Sequence, residues 1–308
     1  LRFSNFRTFD GGEGANTDRQ QQFFAPVGEH GGEFFLSSDM LNFADAQLDS
    51  TSPFMVWTRA RYVSLRGSGN EADGAVTSLQ GGIVYQMSDR AEVGAFVIGT
   101  ESDVDISSQS LAIEGHTTGV GLHASLALTT GGQLSAALLQ ERGTTDIIVG
   151  TASGQFDNTL TSLTVGWATS YDIGPYILLE PSVSIGMTQS ETDTYRLSDG
   201  TVLTGDQTTD KNATIALRAS REFSGVQDSS VLGNTPFVDI GISYVSRDID
   251  QVTFANGTVQ EIEPWNGTIE FGLDTNWRAG WQTNVTIGVT SLLDASPDPT
   301  LALSAGYQ

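Results

Sequence analysis

The sequence predicts an all-β protein, a transmembrane antiparallel up-and-down β-barrel of about twelve strands. Three observations predict this fold class. Apolar residues alternate with small or polar ones almost everywhere after Ser52, and the alternating segments are long. Short turns and long polar loops connect these segments in alternation. Alternation with a period of two is typical of strands that have one apolar and one polar face.

The run Ile177–Met187 shows the alternation together with a carboxylate, since Leu179, Val183 and Ile185 share one face and Glu180 lies on the other. The same pattern predicts strands along the rest of the chain. The candidates lie at 53–66, 74–87, 91–104, 113–128, 133–147, 157–172, 176–191, 208–222, 235–248, 264–277, 282–293 and 299–308. At roughly 10–16 residues they are longer than the strands of soluble domains, and they have the length that a tilted strand needs to cross a bilayer.

The connections between these strands are asymmetric. Short turns are predicted at 88–90, 129–132, 173–175 and 278–280. Long polar loops are predicted at 143–158, 191–209 and 248–264. Short turns at one end and long loops at the other are the expected topology of an outer-membrane barrel, and an even strand number places both chain ends on the short-turn, periplasmic side.

The polar face of the strands favours a membrane barrel over a soluble sandwich. It consists mostly of Ser, Thr, Gly and Gln, and charged residues make up only 17% of the chain, which suits a narrow wet lumen better than an open surface. The charges on this face have both signs: Arg59, Arg61, Glu180, Arg218, Asp239, Glu270 and Asp274. Because confined charges need partners, we predict arginine–carboxylate contacts in the lumen. Weak surface ion pairs are the alternative.

The opposite face is predicted to meet lipid. Its residues include Val56, Tyr62, Leu79, Ile83, Val97, Val183, Ile240, Phe271, Ile287 and Leu303. Aromatic residues near the strand ends are Tyr85, Tyr171, Tyr176, Trp265, Trp277 and Trp281. Such positions match the interfacial aromatic belt of a membrane protein.

Composition excludes several classes of function. The formal charge is −23, with one lysine, Lys211, which argues against nucleic acid as a partner because phosphates need a basic footprint. There is no cysteine, and His30, His116 and His123 have no metal-like spacing. No phosphate loop, GxGxxG or GxSxG motif occurs. We therefore expect no catalytic residues, no metal and no cofactor.

Residues 1–50 are expected to form a separate linker or plug segment, and 51–308 the barrel. The first segment is rich in glycine and acids, does not alternate, and lacks the charged-then-apolar pattern of a signal peptide. Within it, Ser38–Leu48 predicts a short helix with Ser38 as N-cap. Its apolar stripe consists of Met40, Leu41, Phe43, Ala44 and Leu48. A flexible linker is the alternative, because eleven residues are marginal for an isolated helix.

Several segments together resemble the translocator β-barrel domain of autotransporters, the type V secretion family. They are W-T-R-A-R-Y at Trp57, S-L-Q-G-G-I-V-Y-Q-M-S-D-R-A-E-V-G-A-F-V-I-G from Ser78, I-L-L-E-P-S-V-S-I-G-M from Ile177, and the L-R-x-S segment Leu217–Ser220. The resemblance covers 40–308 and implies a twelve-stranded barrel with a linker helix in its lumen. Ser38–Leu48 lies where that helix belongs. Family barrels usually end in an aromatic residue, whereas here Tyr307 precedes a terminal Gln308.

The resemblance implies an outer-membrane barrel of a Gram-negative bacterium that anchors and helps export an N-terminal passenger, without catalysis. The implied partners are outer-membrane lipid and lipopolysaccharide, the barrel-assembly machinery, and the protein's own passenger at the cell surface. A monomer is expected. Two alternatives stay open: a diffusion porin that uses the lumen charges as a constriction, and a membrane hydrolase with a Ser–His pair in the barrel wall.

Overall fold

The computed structural model describes residues 53–66, 72–106, 110–129, 131–173, 177–224, 230–246, 251–253, 259–261, 265–278, 280–290 and 298–307. Twelve long strands run through these residues. They are β1 (Phe54–Arg66), β2 (Ala72–Ser88), β3 (Ala91–Ile106), β4 (Leu111–Ala127), β5 (Gln133–Val149), β6 (Ala152–Ala168), β7 (Ile177–Thr192), β8 (Asp206–Ser220), β9 (Val231–Ser246), β10 (Trp265–Trp277), β11 (Trp281–Thr290) and β12 (Asp298–Tyr307).

Every long strand pairs antiparallel with its neighbours in sequence, and β12 pairs with β1. The sheet therefore closes into a twelve-stranded up-and-down barrel, and the predicted fold class is confirmed. Closure removes the unpaired edge that an open sheet would expose. Short strands accompany the barrel: Tyr171–Ile173 pairs with β7, Phe223–Ser224 pairs with β9, and two loops contain the pairs Tyr195–Arg196 with Val202–Leu203 and Gln251–Thr253 with Val259–Glu261.

One predicted loop is wrong. Residues 143–158 are almost entirely strand, since β5 and β6 pair up to Val149 and Ala152 and only Gly150 and Thr151 connect them. Gly150 has a φ of 60°, so this tight turn uses a backbone conformation that glycine adopts without strain. The outward residues of the hairpin are mostly polar, for example Asp146 and Asp157, with Ile148 as an exception. A sequence pattern that expects an apolar outer face therefore misses it.

The strand around Pro181 contains no bulge. Pro181 pairs with Leu217 of β8 in an unbroken register, and on its other side β6 ends opposite Ser182. The Pro181 carbonyl accepts a hydrogen bond from the Thr169 N–H at 3.1 Å. Proline costs little here because its missing N–H falls where the neighbouring strand is interrupted, between Ala168 and Tyr171.

The strands separate an inner from an outer face. Inward positions are mostly buried, as in β6, where Phe156, Leu160 and Thr164 are almost inaccessible. Outward positions expose large apolar side chains, including Leu79, Ile83, Val97, Val120, Ile185, Ile215, Ile240, Phe271 and Ile287. Within the described part of the chain, no helix has the length and apolar content for a membrane crossing by helix. The predicted helix Ser38–Leu48 lies outside the described residues.

Candidate functional site: the lumen of the barrel

A row of charged side chains crosses the inner wall from β7 to β10. Glu180, Arg218, Asp239 and Glu270 are consecutive cross-strand neighbours in one line of the ladder. Directly opposite residues on one sheet face lie close enough to interact, and like charges in such pairs are destabilising. Asp239 and Glu270 are such a like-charged pair. The row therefore needs a cation at each side of it.

Arg218 supplies the cation on one side. Its Nε lies 3.5 Å from Asp239 Oδ2, and its Nη1 lies 3.6 Å from Asp274 Oδ2. The guanidinium also stacks 3.7 Å from the centre of the Phe237 ring. Phe237 can lie there because Gly272 is beside it, where a Cβ would overlap the ring. Arg218 is 1% exposed, so its ion pairs with Asp239 and Asp274 are formed by a buried guanidinium.

Arg61 supplies the cation on the other side. Its Nη2 lies 3.9 Å from Glu270 Oε1, although β11 and β12 separate their strands. Gly288 makes this reach possible, because a Cβ there would be 2.7 Å from Glu270 Cγ. Arg59 is buried on the same face, opposite Gln80 and Ser304. The structure thus places all seven charged residues singled out in the sequence on the inner face, and it joins Arg61 with Glu270 and Arg218 with two aspartates.

The inner wall of β1 to β6 is different, because apolar clusters lie there beside buried polar residues such as Gln80, Thr100 and Ser162. Its lower core, near the short turns, contains Met55, Trp57, Val84, Phe96, Ile98, Ala137, Leu139 and Leu160. Glycines make room for the large rings: a Cβ at Gly82 would be 2.8 Å from Trp57, and one at Gly121 would overlap Phe96. His123 lies beside this core, with its ring centre 6.2 Å from that of Phe96. The alternation pattern identified these positions as inward, but it did not show that they form a core.

Glu141 is an inner-face residue that sequence reasoning missed. It is 2% exposed, and the hydroxyls of Thr100 and Thr117 each donate to its Oε1 at 3.5 Å. Gly119 leaves room for it, since a Cβ there would be 2.5 Å from Glu141 Cγ. Its parity with Leu139 could have placed it in the lumen. Among the described residues, no three His, Cys, Asp or Glu are grouped so that they could hold a metal ion.

A hairpin from the β7–β8 connection, residues 193–205, packs onto the inner wall at the loop end of the barrel. Tyr195, Leu197 and Leu203 are buried there. The Ser198 N–H donates to the Ser153 carbonyl at 2.7 Å, and the Phe156 and Tyr195 ring centres are 4.7 Å apart. The resulting loop-end core consists of Val63, Val104, Leu111, Ile113, Ile147, Ala152, Phe156 and these three residues. Burial raises the pKa of the Tyr195 phenol.

The structure is a closed barrel whose inner wall has a charged row, apolar clusters and a loop hairpin packed against it. The comparisons with known proteins agree on the family. The model of the autotransporter β-domain matches residues 56–290. The chain belongs to the autotransporter β-domain family. No curated protein sequence matches it.

Solved structures of other autotransporter domains have a similar fold. The translocator domain of NalP from Neisseria meningitidis is similar with a TM-score of 0.70 at 13% identity, over 88% of this chain and 94% of that one. The β-domain of Bordetella BrkA has a TM-score of 0.68 at 14% identity, over 83% and 99%. The transport unit of AIDA-I from Escherichia coli has a TM-score of 0.54 at 12% identity, over 86% and 92%. Membership in this family makes the chain a transport barrel of the outer membrane of Gram-negative bacteria.

Proposed function

We propose that this autotransporter barrel anchors and helps export an N-terminal passenger, that it performs no catalysis, and that segment 1–50 occupies its lumen. The observation that supports this most strongly is the apolar lower core of the inner wall. A lumen filled only with water favours a polar wall, whereas Trp57, Phe96 and Leu139 on the inner face are apolar and buried. An inner face with this composition suits a lumen that holds a segment of polypeptide.

The linker segment matches the wall that it would meet. β1 begins at Phe54, so the chain before it joins the barrel next to the inward residues Met55 and Trp57. The apolar residues Met40, Leu41, Phe43 and Leu48 would pack on the lower core. The same segment carries Asp39 and Asp45, whose charge is opposite to that of Arg59 and Arg61. An amphipathic segment with this composition fits a wall that has both characters.

The row of ion pairs has a structural role in this proposal. Arg61 pairs with Glu270, and Arg218 pairs with Asp239 and Asp274; these contacts stabilise the row without any substrate. The barrel would then work as a monomer: the assembly machinery inserts it into outer-membrane lipid and lipopolysaccharide, the passenger passes to the cell surface, and the linker stays in the lumen.

Conductance across a planar bilayer tests the plug. We expect the intact chain to carry little current and the chain without residues 1–50 to carry a large one. In the full-length chain, Met40→Asp with Phe43→Asp should raise the current, while the double change Asn42→Asp with Gln47→Asp on the same segment should not. A large and stable current from the intact chain contradicts the plug and favours the diffusion porin.

Export is tested separately in cells. A protease-cleavable tag fused before Leu1 should become accessible on intact cells that make the barrel. A tag that stays inside such cells contradicts a translocator. Hydrolytic activity that disappears on replacing one inner-wall Ser or His would contradict the non-catalytic role.

A further inference from the structure

We propose that the outer face between β1 and β5 binds one phosphorylated glycolipid of the outer leaflet, with an acyl chain in a groove over Gly81 and Gly99 and a phosphate at Arg142. This inference rests on the proposed function for one point only, namely that the loop end of the barrel faces the cell surface. The outer leaflet then surrounds the loop-end half of the wall, where the groove ends.

The groove is a depression of about 940 Å³ in the outward surface of the first five strands. Leu79, Val97 and Val120 form its sides and are each at least 60% exposed. Gly81 and Gly99 lie between them, each directly opposite one of these side chains in the ladder. The surface is therefore an apolar channel across neighbouring strands, with the shape for a flexible hydrocarbon chain.

The two groove glycines differ from the inward glycines. A Cβ at Gly99 would meet only the Thr117 carbonyl at 4.0 Å, and one at Gly81 would meet nothing closer than 3.8 Å. By contrast, Gly82 and Gly121 lie against aromatic rings that a Cβ would overlap or crowd. Packing within the protein thus explains the inward glycines and leaves Gly81 and Gly99 unexplained. Glycine in a strand interior weakens the strand and often marks close approach of a ligand.

Arg142 lies at the end of the groove that points toward the loops. On the outer face of β5, Leu134 and Leu138 are apolar, and Gln140 and Arg142 follow in the direction of Val149. This is the height at which the lipid-facing surface changes from apolar to polar. Arg142 is exposed and faces Thr118 on β4 and Thr159 on β6.

The charged residues around Arg142 leave its guanidinium available to bind an anion. Among the described residues, no carboxylate lies within ion-pair distance of it. Asp157 is its diagonal neighbour on β6, opposite Thr144, and no ion pair joins the two. The outward acids Glu101 and Glu114 contact His116, at 3.9 and 3.3 Å. A guanidinium binds phosphate through paired N–H donors. A cation at the headgroup level next to a hydrocarbon channel matches a phosphorylated, acylated lipid and does not match a peptide, which would also need backbone partners.

Native mass spectrometry of the full chain with purified lipid A tests the site. We expect Arg142→Gln to reduce bound lipid A about fivefold, as follows from the contribution of one cation at a membrane surface. Gly99→Leu should reduce it similarly, because it fills the channel without a clash. The matched controls are Lys211→Gln, which removes an exposed outward cation from β8, and Ala213→Leu, which adds bulk to the same outer face of β8. Both should bind lipid A as the unchanged protein does.

Three outcomes would overturn the site: equal loss in Arg142→Gln and Lys211→Gln, no loss in Gly99→Leu, or equal binding of phosphatidylcholine by the unchanged protein. All variants should refold and unfold like the parent in urea. If Arg142→Gln does not, Arg142→Lys replaces it and should retain intermediate binding of lipid A. Passenger export measured in cells is a separate readout. If the unchanged protein binds lipid A but exports no passenger, the proposed function alone is contradicted. If it exports the passenger but binds no lipid A, the lipid site alone is contradicted.

Discussion

The charged wall of β7 to β10 and the apolar lower core of β1 to β6 stabilise the same lumen in different ways. In the charged wall, Arg218 and Arg61 compensate carboxylates that the ladder places side by side. In the apolar wall, Trp57 and Phe96 fill gaps over glycines. Removing one partner from the first leaves charges without compensation, while shortening a side chain in the second leaves a void. The two walls should therefore fail for different reasons and respond to different rescues.

The largest expected effect is in the charged wall. Arg218→Ala leaves Asp239 and Asp274 without their common cation, and we expect a loss of about 3–5 kcal/mol in the free energy of unfolding. Urea unfolding of the barrel in lipid vesicles, followed by tryptophan fluorescence, measures it. Adding Asp239→Asn and Asp274→Asn should restore part of the loss, because it removes the uncompensated charge. If the triple variant is no more stable than Arg218→Ala, charge balance is not what Arg218 provides.

The apolar wall should show a smaller loss that has no charge rescue. Leu139 is 1% exposed on the inner face of β5, and Leu138 next to it is 47% exposed on the outer face. We expect Leu139→Ala to cost about 3 kcal/mol through the cavity it creates, and Leu138→Ala clearly less. The same unfolding measurement compares them. Equal losses would mean that the lower core is not packed as the structure shows.

The hairpin 193–205 should respond locally. Gly154 lies under Leu197, and a Cβ at Gly154 would be 2.7 Å from Leu197 Cδ2. Gly154→Val should therefore release the hairpin and expose it to protease, with a cost of about 1–3 kcal/mol for the overpacked site. Limited proteolysis followed by mass spectrometry locates the new cleavage. Gly150→Ala, in the neighbouring turn, should not produce cleavage in 193–205, and cleavage there in both variants would show a general loosening.

The smallest effect concerns pH. Burial raises the pKa of Tyr195 in the folded protein, so above the ordinary phenol value of about 10 the unfolded chain loses a proton that the folded one keeps. The hairpin's stability is thus fully present below that pH and decreases above it. Absorbance titration should show one tyrosine that ionises late and that is missing in Tyr195→Phe. A titration that is unchanged in Tyr195→Phe contradicts the buried phenol.

The contrast between the walls also shows what alternation can and cannot predict. Parity alone placed Arg59, Arg61, Arg218 and the four acids on one face, because side chains in a strand alternate strictly. It did not reveal that Trp57 and Arg59, two residues apart on the same face of β1, belong to different environments. It also predicted a loop in place of the β5–β6 hairpin, because the outer face there is mostly polar beyond the apolar belt.

The sequence by itself determined the strand number, the two faces and the family, since each depends on local periodicity or on a matching pattern of residues. Only the tertiary structure decided which charges meet. Arg61 reaches Glu270 because β12 closes on β1 and because Gly288 leaves room between them. Closure is set by hydrogen bonds between β1 and β12, which lie far apart along the chain, and no local pattern encodes a contact of that kind.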